Sequence, residues 1–515
     1  MFDLLISGGR IVDGTGLPWF RGDLGITGNR IAAIGSLGDA DARERIDASE
    51  KVVAPGFIDA HVHGDLALLK DPMHEPAIRQ GVTTYIVGQD GVAMAPGSTE
   101  TINYMRAYTA GFSGLYEPAR SWSNLGEYLD GFDGRCALNV ACLVPNGNVR
   151  MDAMGLTSRP PTTRERGQMR RQVREAMEHG AIGLSSGLDY IPSSFAGTEE
   201  LIALCEEIAP FGGVYVTHMR AYDPERVLAS MDEVFRIGRE AGCGVHISHF
   251  NSRADLVIPH LDAACRDGID ATFDLYCYLA GNTILAMVAL PPWVQEDGCA
   301  ATLARLADPA VRRRLRGFSG PRGSHQEIRL SFIAAPEYRH LEGLGLEEAA
   351  QQSGRDMETF VCEVLLASRL AVGCIVPHRN RGEEDLRALI RHPAMMSGSD
   401  GIYAGARPHP RGWGCFARYL AHYVREERVW TLEQAVQHLA AHAARRFGLK
   451  DRGLLREGMA ADVVVFDAET IAERATFEDG RQPAVGVEQV VVNGELVLHD
   501  GRRTQALPGR ALRRL

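Results

Sequence analysis

Two imidazoles stand two residues apart in the run KVVAPGFIDAHVHGD, at His61 and His63. On an extended chain, residues at that spacing face the same side, so an apolar strand ending here projects both rings together. Two neutral imidazoles on one face suit a divalent metal such as zinc. Alone, the pair is a weak signal, because packed histidines recur at this spacing too. Three further positions decide the matter. His218 ends YVTH, His249 ends VHISH and Asp400 ends MMSGSD, each at the tail of an expected strand that follows a helix. Metal-capable groups at four corresponding strand ends are hard to attribute to core packing. A divalent ion there would lower the pKa of water and polarise a carbonyl, which is hydrolytic chemistry. His246 offers a contrast. It lies three residues before His249, so on a straight strand it faces the other way and should pack outward among helices. His179, His260, His438 and His442 fall on expected helices or loops and read as surface or packing residues.

Strand ends converge only on a suitable scaffold. From about 55 to 450 the chain alternates helix with short hydrophobic strand. Thr162 and Glu165 form a capping box, Met169, Val173 and Met177 share one helical face, and Gly180 stops that helix before AIGLSS. A helix near 197–208 leads into GVYVTH, and one after Asp223-Pro224 runs to about 241 and into GVHISHF. Helices near 357–370 and 383–391 precede AVGCIVP and AMMSGSD. This rhythm signals a parallel α/β sheet, and about eight units in this length fit a TIM-like (β/α)8 barrel, whose active sites lie at the strand C-termini. An open doubly wound sheet shares the rhythm. Residues 285–350 break it with Pro, Arg and Gly and read as an insertion, either over the active site or as a surface excursion. The two ends, 1–54 and 451–515, alternate short apolar runs with Gly-Asn, Asn-Gly and Asp-Gly hairpin steps. They are expected to build one small, discontinuous β-sandwich domain.

Composition narrows the function. A net charge of −11 argues against nucleic acid or an anionic membrane as partner, leaving a small-molecule substrate; nothing in the pattern sets an oligomeric state. The ten cysteines are scattered without a CxxC pair, as free thiols in a reducing compartment are. MFDLLISGGRIVDG has neither a basic n-region nor an apolar run long enough for export, so a cytoplasmic location is expected.

The strand-1 HxH, single histidines on strands 5 and 6, the final-strand Asp and the split β domain resemble the amidohydrolase superfamily. Within it, GAIGLSSGLDYIP, VTHMR, DLYCYLAGNT, MMSGSDG, HPRGWGCFARYL and ARRFGLKDRGLLREGMAADVVVFD look like the N-acyl-D-amino-acid deacylases over essentially the whole chain. The resemblance implies one or two zinc ions, with another divalent metal as alternative. It places Asp90, His218 and His249 at the tighter site, and His61 and His63 with Asp400 at the adjacent one. It also implies that Asp400 accepts the water proton and passes it to the departing amine. Tyr190 and Tyr276 are implied as substrate hydrogen-bonding groups, with Asn282 where relatives often have Ser. Arg411 offers a planar two-pronged donor for a substrate carboxylate, ahead of Arg150 and Arg220. Two departures stand out. Asp90, in GQDG, takes the position of a metal-binding Cys, and a carboxylate is a harder ligand. Asn251 stands where many relatives have Lys, which points to altered specificity.

The expected activity is therefore amide hydrolysis of N-acyl-D-amino acids. A related amidohydrolase acting on a cyclic amide or dipeptide is the alternative. The fourth-strand candidate AIGLSSGLDY holds no lysine to carboxylate, which disfavours a lysine-bridged site such as hydantoinases use. A non-catalytic scaffold would have lost ligands, whereas this set is complete apart from a Cys-to-Asp exchange at Asp90 that retains binding ability.

Overall fold

The computed structural model describes residues 1–117, 121–317 and 327–514. Its centre is a ring of short parallel strands: β1 (Phe57–Asp59), β2 (Val82–Val87), β3 (Asn139–Cys142, continued by Val144–Pro145), β4 (Gly183–Gly187), β5 (Val214–His218), β6 (Gly244–Ile247), β7 (Ala271–Leu275) and β8 (Met395–Ser397). Each pairs in parallel with the next. Backbone bonds close the ring between β8 and β1: Ala60 N donates to Ser397 O (3.1 Å), Asp400 N to His61 O (2.7 Å) and His63 N to Gly401 O (3.1 Å). The ring is thus a closed (β/α)8 barrel rather than an open sheet. Ile58, Ile86, Ala141, Val214, Val216 and Met396 share one buried cluster with Ala443 and Phe447.

Helices follow the strands as the apolar periodicity requires. Thr163–Glu178 starts on the expected capping box, and Thr198–Ile208 and Glu383–Ile390 lie where the sequence placed them. The helix after Asp223-Pro224 begins later than expected, at Val227, because a turn pairing Arg226 with Asp223 comes first.

Two boundaries differ from the sequence reading. The run KVVAPGFID is two strands, not one: Val52–Pro55 joins the terminal sheet and Phe57–Asp59 opens the barrel. The break falls at Gly56, where a Cβ would sit 2.3 Å from the Thr83 side chain. The second difference concerns AVGCIVP. Val372–Pro377 is the middle strand of an antiparallel sheet, between Ala280–Ile284 and Arg329–Ile333, and not a barrel strand. A short apolar strand after a helix reads alike in either setting. The inserted layer therefore extends beyond 285–350 on both sides, and it has a core of its own around Leu285, Leu330, Phe360 and Val372.

The terminal segments share one nine-stranded sheet. Its seam is the antiparallel pairing of Val52–Pro55 with Val463–Phe466. Alternate residues Leu4, Ile6, Leu24, Ile26, Val463 and Val465 bury one another on one side. Val52, Ala54, Val464 and Phe466 join the barrel's main core on the other. No helix among the described residues is long and apolar enough to cross a membrane.

Candidate metal centre

The six metal-capable side chains named from sequence meet at the C-terminal mouth of the barrel, delivered by β1, β2, β5, β6 and β8. Three of them sit just past a strand end in the left-handed region: Asp90 (φ 54°), His249 (φ 31°) and Asp400 (φ 49°). Asp and His are among the non-glycine residues that tolerate this conformation best. There the chain turns back over the lumen instead of continuing its alternation. That turn corrects the expectation for His246. β6 ends at Ile247, and His246 lies in one cross-strand row with Val216 and Thr272, facing the barrel interior. Strict alternation between His246 and His249 requires a straight strand, and this one turns after Ile247.

The donor atoms form two groups around Asp90. In one, His218 Nδ1 and His249 Nε2 are 3.0 Å apart, and both approach Asp90 Oδ2, at 3.9 and 3.7 Å. In the other, Asp400 Oδ1 lies 3.8 Å from His61 Nε2 and 3.4 Å from His63 Nε2. Asp90 also reaches this second group, with Oδ1 3.7 Å from His61 and Oδ2 3.4 Å from His63. His61 Nε2 and Asp90 Oδ1 are buried without a hydrogen-bond partner, a costly state for polar atoms. Tetrahedral ligands about 2.1 Å from an ion stand roughly 3.4 Å apart, close to most of these separations. The donor set and its spacing fit a divalent metal.

A residue that sequence reasoning missed supports this cluster from below. Asp274, on β7, is wholly buried; its Oδ2 lies 3.3 Å from His61 Nδ1 and 3.0 Å from His246 Nε2, and its Oδ1 accepts from His249 N at 2.7 Å. A carboxylate on the far ring nitrogen of a ligating histidine fixes its tautomer and orientation. The signal was present as an aspartate inside the apolar strand ATFDL. Asp59 plays a related part, since its Oδ1 accepts from His61 N (3.3 Å) and Ser399 N (2.8 Å), tying β1 to β8.

The electrostatics follow from burial and pairing. Burial opposes protonation of His61, but Asp274 and Asp90 outweigh it and raise its pKa well above the ordinary value. Burial likewise opposes ionisation of Asp90, yet His61, His249 and His63 hold it well below the carboxylate range. Asp274 is lowered in the same way by His61 and His246. Burial pushes Asp59 up to about 7 despite its bonds from Ser399. A metal-free centre is thus a proton-sharing network whose protons an ion would displace.

A cleft of about 990 Å³ opens onto the cluster at His218, His249 and Asp400. Tyr190, Asn251, Tyr276 and Asn282 line it as expected, and the inserted layer supplies Met287, Val288 and Val376. Asn251 Nδ2 donates to Tyr276 Oη (2.9 Å), which also contacts His378 Nε2 (2.7 Å). Asn282 Oδ1 accepts from Ser331 Oγ (3.2 Å). Arg411 differs from the expectation of a guanidinium open to substrate. It is wholly buried, with Nη1 2.9 Å from Asp400 Oδ2 and its cation 4.5 Å from the Tyr276 ring. Arg150 is a buried partner of Glu200, and Arg220 is held by Glu233.

A closed (β/α)8 barrel whose mouth gathers four imidazoles and two carboxylates defines a metal-dependent hydrolase. A family model described as amidohydrolase family matches residues 44–498, and the chain belongs to that family. It is 36% identical to a D-aminoacylase of Alcaligenes xylosoxydans xylosoxydans, covering 100% of this chain and 98% of the relative. An N-acyl-D-glutamate deacylase from Bordetella bronchiseptica, solved with zinc and a phosphonate mimic of the tetrahedral intermediate, superposes with a TM-score of 0.83 at 36% identity, over 99% of both chains. A D-aminoacylase structure described as having a binuclear metal centre, with one-metal activation and second-metal attenuation, gives a TM-score of 0.83 at 34% identity, over 100% of both chains.

Proposed function

We propose that this protein is a divalent-metal hydrolase that cleaves the amide of N-acyl-D-amino acids, releasing a carboxylate and a D-amino acid. One observation carries the reading: metal-capable donors cluster at the end of a small-molecule cleft, in a chain collinear over its full length with a D-aminoacylase. Asp90, His218 and His249 would hold one zinc-type ion, with His61, His63 and Asp400 around the adjacent position. Such an ion supplies a water of lowered pKa and Lewis-acid polarisation of the carbonyl.

The chain's own groups do the rest. Asp400 accepts the proton of the attacking water at Oδ1, the oxygen turned toward the histidines, and delivers it to the departing amine nitrogen. Arg411 grips Oδ2, so the carboxylate stays in one orientation and Oδ1 remains the working atom. Tyr190, Tyr276, Asn251 and Asn282 position the substrate along the cleft. The apolar wall of Met287, Val288 and Val376 keeps water from the acyl amino acid once it is bound. The ten free cysteines suit the reducing cytoplasm, where this reading places the enzyme.

A cyclic-amide hydrolase with a lysine bridge finds no support, because β4 reads GLSSG and Lys51 pairs with Asp467 and Glu488 in the terminal sheet. Metal-stripped and zinc-reconstituted protein, assayed on N-acetyl-D- and L-amino acids, hydantoins and dipeptides, tests the proposal. Zinc-dependent cleavage of the N-acetyl-D-amino acids is expected. Reconstituted protein that cleaves a hydantoin or a dipeptide and leaves the N-acetyl-D-amino acids intact would contradict it.

A further inference from the structure

We propose that the cleft selects N-acyl-D-amino acids with neutral side chains over those of D-glutamate and D-aspartate, because it offers a second substrate carboxylate no cation. This selectivity rests on the deacylase reading above and narrows it. Among the described residues three guanidiniums line the cleft, and each is already paired. Arg220 Nε lies 2.8 Å from Glu233 Oε2, and its Nη1 donates to Ser194 O at 3.0 Å. Arg226 Nε donates to Asp223 Oδ2 (2.9 Å), and Arg379 Nη2 to Glu327 Oε2 (2.8 Å). No lysine among the described residues lines it. Asp189, Glu225 and Glu296 add their carboxylates to those of Asp223 and Glu327, so away from the metal-capable cluster acids outnumber bases. A cleft lined by an excess of one sign focuses that field, and a doubly charged substrate meets more of the repulsion than a singly charged one.

The side chains around Tyr276 are polar but bring no free charge. Asn251 Nδ2 donates to Tyr276 Oη (2.9 Å), which lies 2.7 Å from His378 Nε2. Burial and the neighbouring Arg381 and Arg411 cations hold the His378 pKa well below its ordinary value, so this imidazole is neutral and accepts the Tyr276 proton. Arg411 is engaged with Asp400. Arg381 is buried, donates to Tyr278 O at 2.8 Å and does not line the cleft. Much of the remaining wall is apolar, with Met287, Val288, Leu290 and Ile328 supplied by the inserted layer. The α-carboxylate shared by all these substrates is attached to the same carbon as the scissile nitrogen, so it stays beside the metal-capable cluster. A side-chain carboxylate must find its partner farther along the cleft. Against these walls it would shed hydration and gain no counter-charge, a larger cost than an amide of the same shape meets.

N-acetyl-D-glutamine and N-acetyl-D-glutamate match in shape and differ by one charge, so steady-state kinetics of the zinc-loaded protein on this pair test the selectivity. The glutamine derivative is expected to have a kcat/KM higher by about tenfold or more. Asn251→Lys, which sets a cation beside Tyr276, should narrow that ratio by about threefold or more. A ratio of one or below in the intact protein, or a ratio that Asn251→Lys leaves unchanged, would overturn the proposal. If Asn251→Lys does not fold, the ratio in the intact protein decides. Faster release of D-glutamate than of D-glutamine would overturn the selectivity and leave the deacylase reading standing. No cleavage of any N-acetyl-D-amino acid, N-acetyl-D-methionine included, would overturn both.

Discussion

At the scale of single residues, protons and metal ions compete for the same buried donors. His61 is pinned between Asp274 and Asp90, whose charges raise its pKa well above the ordinary value. A group raised above its ordinary value carries its proton until pH exceeds the raised value, so an ion binding below that value must expel it. Zinc affinity should therefore fall as pH falls, by roughly tenfold per unit for one displaced proton. Calorimetry in two buffers of different ionisation enthalpy checks this; heats that do not depend on the buffer would contradict it. Asp274 acts through the histidines it orients. Asp274→Asn should weaken zinc binding by about 10- to 100-fold with the fold retained, as read by competition with a chromophoric chelator. An unchanged affinity would remove Asp274 from the account. The six metal-capable residues were readable because each stands near a strand end beside a recognisable turn. Asp274 and the inward course of His246 were not, since both depend on which face a strand presents once its neighbour turns.

At the scale of elements, the turn after β2 matters most, because it alone presents Asp90. Gly187, on β4, packs so close that a Cβ there would lie 2.2 Å from Asp90 O. Gly187→Ala should push the turn outward, destabilise the fold by roughly 1–3 kcal/mol and weaken metal binding together. Urea unfolding and metal content measure the two effects; loss of stability with full metal content would mean that the turn does not set the site. The helix–strand rhythm announced most of the barrel. It misassigned Val372–Pro377, because apolar runs carry no mark of parallel or antiparallel pairing. It ended the terminal domain at residue 54, with VVAP among its strands, but read the apolar run on to His61 without marking the break at Gly56, where the pattern crosses from one sheet to another.

At the scale of the whole molecule, the barrel and the terminal sheet are joined by a buried polar knot. Asp462 accepts from Asn139 Nδ2 (2.9 Å) at the start of β3 and from Asn493 N (2.7 Å), and it pairs with Arg452. Asn493 Nδ2 closes the knot on Asn139 Oδ1 at 2.7 Å. Asp462→Ala would leave the buried Arg452 cation with only the more distant Asp451 carboxylate, at 3.8 Å, and Asn493 Oδ1, so unfolding stability should drop by about 3 kcal/mol. A chemical denaturation curve that superposes on that of the parent would contradict this. Hairpin chemistry at both ends made the shared sheet legible. The knot was not, because Asn139 lies more than 300 residues from its partners Asp462 and Asn493 and no spacing in the chain links them. Residues, turns and joined sheets together present a metal-dependent site for N-acyl-D-amino acids. The most direct test is to incubate the zinc-loaded protein with racemic N-acetylmethionine and resolve the released amino acid on a chiral column. D-methionine alone is expected, with hydrolysis stopping at half conversion and absent after chelation. Release of L-methionine, or no release from fully metal-loaded protein, would contradict it.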